Sequence, residues 1–179
     1  MRNHPPRIVA ASILVATMLG PPSAQRSLEA RSRREAGGRH ADRVLVEKQT
    51  RRLTLSLHGE ILGTYRVALG RQPHGDKECK GDHKTPEGLF TIDRHLPASG
   101  FHRALHVSYP DAAHRQAARR RGCDPGGDLM IHGIKNGLGW LGPLHRMIDW
   151  TDGCMAVTDR EIEEIYDAVP NGTPVEIRP

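Results

Sequence analysis

Aromatic residues are almost missing from this 179-residue chain: two Trp, three Tyr and two Phe amount to 4% of it. So few rings exclude the aromatic stacking platforms on which single-stranded nucleic acid is usually held. Cysteine is scarce too, with only Cys79, Cys123 and Cys154, and none lies in the paired spacing of a zinc finger. No apolar run approaches the roughly 20 residues that a membrane-crossing helix needs. There is no internal repeat and no low-complexity tract. What is abundant is glycine (19) and proline (13), which favours a turn-rich, β-containing fold over a helical bundle. The length suits one domain with a proper core. The formal charge of +5 fits an acidic polymer such as cell wall as well as any other partner, and no nucleic-acid partner is expected.

The N-terminus has a secretory layout. Arg2 and Arg7 lead into the apolar run Ile8–Leu19 (IVAASILVATML), Gly20-Pro21-Pro22 breaks it, and Ser23-Ala24 offers a small-residue cleavage position. Residues 1–24 are therefore expected to be a signal peptide or, with Pro22 a poor neighbour for cleavage, an N-terminal anchor. Residues 25–42 are polar and charged and read as a flexible linker. The folded domain is expected over residues 43–179, exported to the periplasm or cell envelope.

Within that domain, Val44–Glu47, Leu53–Leu57 and Ile61–Leu69 read as three strands of an antiparallel meander, the second alternating strictly between apolar and polar. A long charged loop follows, Gly70–Gly88 (GRQPHGDKECKGDHKTPEG), of the kind that is functional or disordered. Leu89–Ile92 and Ala104–Tyr109 return as strands. A helix is expected from Pro110-Asp111 to about Arg121, stopped by Gly122. Leu129–Gly133 and Met155–Val157 are short strands. Thr158 and Glu161 form a capping box for a helix whose Ile162, Ile165, Tyr166 and Val169 share one face. Pro174–Ile177 is the last strand. The fold class is mainly β with two helices.

The chemistry concentrates near DWTDGCMAV, residues 149–157. A thiol becomes a nucleophile when a base lies close and its thiolate is stabilised. His132 ends one expected strand and Cys154 begins another, so neighbouring strands would project both from adjacent ends. Gly153 permits a tight turn, and the amides of Gly153 and Cys154 would then face a developing oxyanion. The same residues also admit a small buried cysteine, and with eleven histidines, His145 competes with His132 for the role of base.

His132-Gly133 followed by Thr151-Asp152-Gly153-Cys154 resembles the signature of the L,D-transpeptidase catalytic domain, the YkuD-type fold. GDHKTPEGLFTI (81–92), Tyr109-Pro110 and Asp124–Asp128 (DPGGD) are similar to further stretches of that family. The likeness covers roughly residues 43–179 and is greatest to the exported, YafK-like branch. Asp152 stands where many members carry a second histidine, no arginine or asparagine follows the cysteine closely, and the interval of 22 positions from His132 to Cys154 is longer than in many members.

The resemblance implies a β-sandwich or barrel-like fold and a cysteine-dependent transfer on peptidoglycan tetrapeptide stems. Cys154 would be the nucleophile, His132 the general base and acid, Gly153 an oxyanion donor and Gly133 a turn of the site. D-alanine would leave, and a stem amine, an outer-membrane lipoprotein lysine or a D-amino acid would accept. Water as acceptor would make the protein an L,D-carboxypeptidase or amidase. No cofactor and no metal is implied, and the chain is expected to be a monomer. Candidate substrate contacts are Asp152, Thr151, Trp140, Trp150, Arg146 and His145. Asp152 is expected to bond His132 or a backbone amide, and His145 is expected as an exposed loop residue. Cys79 and Cys123 are candidates for a disulfide that leaves Cys154 free. Sortase-like and papain-like alternatives lack, respectively, an arginine soon after the cysteine and the right order of Cys and His. A non-catalytic wall-binding module is the rival from another class.

Overall fold

The computed structural model describes residues 38–179; the expected leader (1–24) and most of the linker (25–42) lie outside the described residues. The elements are β1 (Arg43–Glu47), β2 (Arg52–Leu57), β3 (Glu60–Arg66), β4 (Gly88–Ser99), β5 (His102–Val107), α1 (Ala112–Arg121), β6 (Met130–His132), a 3-10 segment (Gly139–Met147), β7 (Met155–Ala156), α2 (Asp159–Ala168) and β8 (Pro174–Arg178). The strands form one ladder in the order β3-β2-β1-β8-β4-β5-β6-β7. The meander β1–β3 is antiparallel as expected, and β8 returns parallel to β1 with Val44 opposite Val175.

β4 joins the two halves. Its first residues, Gly88–Thr91, pair with β8, and from Ile92 onward it pairs with β5. The register shifts between Ile92 and Arg94, which is how a strand bends out of one sheet into another. The sheet is not closed. Two isolated bridges, Ala68 to Ala156 and Gly70 to Thr151, tie the chain beyond β3 to the β7 edge.

Burial follows the period of two. Val44 and Val46 on β1 and Leu53 and Leu55 on β2 point inward, and they pack with Phe90, Ile92, Leu105, Val107, Ile131, Met155, Val175 and Ile177. Helix α2 closes this core with Ile162 and Ile165, joined by Val169 at its C-cap. Its capping box is present in both directions between Thr158 and Glu161. Helix α1 has Asp111 as N-cap and Gly122 in a left-handed C-cap at φ 71°.

Three departures have physical causes. β4 runs to Ser99, seven residues past the expected end, because it pairs with β5 in a hairpin; Arg94, His95 and Pro97 hid it by breaking the apolar alternation. The 3-10 segment was unexpected, since Gly142 at φ 48° and Pro143 interrupt any helical pattern. The long loop Gly70–Gly88 is ordered. Asp82 accepts from the amides of Glu78, Cys79 and Lys84 at 2.7, 3.1 and 3.0 Å and from Lys77 Nζ at 2.7 Å. Against the upward push of burial, these bonds hold its carboxyl down at about 2. Cys79 and Cys123 are bridged, with Cα atoms 5.9 Å apart, so the loop is fastened to the end of α1.

Candidate active site

Parallel pairing of β6 with β7 sets the two expected catalytic residues in relation. His132 lies opposite Ala156, and Cys154 is two positions before Ala156. Because side chains alternate along a strand, Ala156 and His132 share one face while Ile131 and Met155 turn into the core; carrying the alternation one residue back from β7 puts Cys154, which directly precedes the strand, on the His132 side. Cys154 is the free cysteine of the described residues and is half-buried.

His132 is held from several sides. Its ring is buried and packs 4.5 Å from Phe101 and 5.8 Å from Trp150, centroid to centroid. Nδ1 lies 2.7 Å from the Gly133 carbonyl oxygen. A carbonyl only accepts, so the proton of the neutral ring is on Nδ1 and Nε2 is free to take another. Burial pushes the imidazole down to about 4. Gly133 is required by close approach, since a Cβ there would stand 2.8 Å from Asp159 Oδ1 and 3.0 Å from the Phe101 carbonyl oxygen.

The thiol is not hydrogen-bonded to His132; Sγ donates to the Asp128 carbonyl at 3.5 Å. Burial pushes Cys154 up to about 11, with the carboxylates of Asp152 and Asp128 adding to the rise and Met130 N–H and Lys77 opposing it. At neutral pH the pair is therefore uncharged thiol and uncharged imidazole, and a proton must move before the sulfur can attack.

The turn before Cys154 is built by Thr151. Its hydroxyl donates to the Cys154 carbonyl at 2.7 Å and accepts from the Gly153 amide at 3.1 Å. Gly153 sits at φ 133°, and a Cβ would stand 2.7 Å from the Lys84 carbonyl oxygen, so only glycine fits. The expected oxyanion donor Gly153 thus has its N–H occupied in this resting geometry. The Cys154 amide has no acceptor among the described residues.

The other candidates divide. Trp150 is at the site, and its Nε1–H donates to His145 Nδ1 at 3.2 Å. His145 is buried, not an exposed loop residue, because it sits under Trp150; its Nε2 has no partner among the described residues. Burial, with Arg146 adding, pushes it down to about 4. Asp152 bonds neither His132 nor an amide: Arg71 and His83 Nδ1, the latter at 2.9 Å, draw it to the rim. Arg146 is committed to Glu161 at 2.9 Å and to the Arg66 carbonyl at 2.8 Å. Trp140 is 77% exposed on the 3-10 segment. Among the described residues no group of three metal-ligating side chains occurs.

The family model of the L,D-transpeptidase catalytic domain (YkuD) matches residues 41–177. This chain belongs to that family. YafK of Escherichia coli K12, an L,D-transpeptidase by name, is 28% identical over 112 residues, 62% of this chain and 38% of that protein. This L,D-transpeptidase domain thus spans well under half the length of that curated relative. Among solved structures, the helical cell shape determining protein Pgp2 of Campylobacter jejuni superposes with a TM-score of 0.56 at 22% identity, covering 81% of this chain and 53% of Pgp2. An L,D-transpeptidase from Mycobacterium smegmatis gives 0.53 at 16% identity, covering 76% and 58%. These two share the fold.

Sequence reading missed Phe101, Asp159, Arg71 and the part played by the Asp128 carbonyl. Phe101 and Asp128 act through a ring face and a backbone carbonyl, which leave no spacing signal. Asp159 was legible only as the first residue of a capped helix.

Proposed function

We propose that Cys154 and His132 carry out L,D-transpeptidation on peptidoglycan tetrapeptide stems through a thioester. The observation that carries this reading is the register of β6 with β7, which sets His132 opposite Ala156, two positions after Cys154, with His132 Nδ1 occupied by the Gly133 carbonyl and Nε2 left as the base. Cys154 Sγ bonds to the carbonyl carbon of the stem's third residue while its proton passes to His132 Nε2. The Cys154 N–H, which has no acceptor among the described residues, stabilises the oxyanion. Collapse breaks the C–N bond, and D-alanine leaves with the proton returned by His132. An amine then attacks the thioester, gives its proton to His132, and the thiolate leaves and regains it. The neutral resting pair makes His132 a true general base during attack.

The site is read as working outside the cytoplasm, with residues 1–24 as the export signal and 43–179 as the catalytic domain. The Cys79–Cys123 bridge supports this, because such bonds persist in oxidising compartments. No helix of the described residues is long and apolar enough to cross a membrane.

The test is to incubate the purified chain with tetrapeptide-bearing muropeptides and separate the products by mass. D-alanine release together with 3–3 linked dimers, absent with Cys154→Ala, is the expected result. Tripeptides without dimers would make the protein a hydrolase, and no D-alanine release would overturn the reading.

A further inference from the structure

A partly buried carboxylate lies one peptide group away from His132. Asp159, the first residue of α2, turns its side chain back from the helix, and Oδ1 accepts the Ile134 N–H at 2.8 Å. The carbonyl of that same peptide unit belongs to Gly133, and it accepts His132 Nδ1–H at 2.7 Å. One planar amide therefore receives a carboxylate at its N–H end and offers an imidazole acceptor at its C=O end. Hydrogen bonds in such a chain polarise one another. A negative charge at the N–H end pushes electron density onto the carbonyl oxygen and strengthens it as an acceptor.

Two glycines keep the carboxylate in place. A Cβ on Gly133 would stand 2.8 Å from Oδ1, and a Cβ on Gly139 would stand 2.3 Å from Oδ2. The chain is thus cleared of side chains on both sides of this one group. No cation of the described residues pairs with Asp159: neighbouring Arg146 pairs with Glu161 and Arg160 with Glu164. The carboxylate also lies at a helix N-terminus, where negative charge is favoured.

We infer that Asp159 is a positioning residue for His132, acting through the Gly133–Ile134 peptide to fix the Nδ1–H tautomer and to raise the basicity of Nε2. It performs at one remove the service that a directly bonded aspartate gives to the histidine of a Ser-His-Asp triad. This rests on the reading of His132 as the base. Asp159 itself touches neither thiol nor substrate.

The test compares wild type, Asp159→Asn and Gly139→Ala by two readouts. One is the acylation rate with a carbapenem, followed by intact mass. The other is the 15N shift of the His132 ring nitrogens in the uninhibited protein, which needs no turnover. Asn keeps an oxygen to accept the Ile134 N–H and loses only the charge. Asp159→Asn is expected to keep the wild-type melting temperature, slow acylation by about 3- to 10-fold, and shift the Nδ1 resonance as its hydrogen bond weakens. Gly139→Ala, which displaces the carboxylate, should move both readouts in the same direction. Either acylation by Asp159→Asn within about twofold of wild type, or slower acylation with unmoved ring nitrogens, overturns the proposal. Failure of the wild type itself to acylate would instead sink the reading of the site.

Discussion

At Cys154 and His132 burial outweighs every local partner. It lifts the thiol to about 11 and lowers the imidazole to about 4, so the pair stays neutral across the physiological range. The acylation rate is then expected to be flat between about pH 5 and about pH 9, the interval in which both groups keep their reactive protonation states. A rate that climbs tenfold per pH unit near neutrality would instead show attack by a small preformed thiolate fraction of a high-pKa thiol, without general-base help from His132. Gly153 gives a second prediction at this scale. Its φ of 133° and the 2.7 Å approach that an added Cβ would make to the Lys84 carbonyl make Gly153→Ala costly by about 1–3 kcal/mol. Thermal unfolding checks it, and acylation should fall with it because the Cys154 amide is displaced.

Elements differ in how plainly the sequence announced them. β1, β2 and the capped helix α2 were readable because one face of each is buried and the period shows. β6 and β7, three and two residues long, are too short to show a period; they were placed by Gly133 and Gly153 and by the family resemblance. The partners of His132 and of the thiol were hidden, because Gly133 and Asp128 contribute backbone oxygens and Phe101 a ring from a distant hairpin. The loop 70–88 read as functional or disordered; it is held by Asp82 and by the Cys79–Cys123 bridge, whose ends lie 44 positions apart. Opening that bridge by Cys79→Ser with Cys123→Ser should lower stability by about 4 kcal/mol in the chain-entropy account. Denaturant titration measures the loss, and a change under about 1 kcal/mol, a small part of that figure, would mean that Asp82 alone holds the loop.

For the whole molecule, the same two depressed histidines link stability to pH. In the unfolded chain His132 and His145 take protons near 6.5, whereas in the fold both wait until about 4. The unfolded state therefore binds more protons in this window, so stability is full above about 6.5 and declines as pH falls toward about 4. Melting temperatures across that range check the sign. The register of β6 and β7 sets the imidazole of His132 opposite Ala156, two positions after the thiol of Cys154, and the central claim is that this thiol is the acyl carrier. Intact mass spectrometry of wild type and Cys154→Ala after exposure to a carbapenem tests it most directly. The account predicts one acyl group on the wild type, mapped to Cys154, and none on the variant. An unchanged wild-type mass, or an equal adduct on Cys154→Ala, would contradict it.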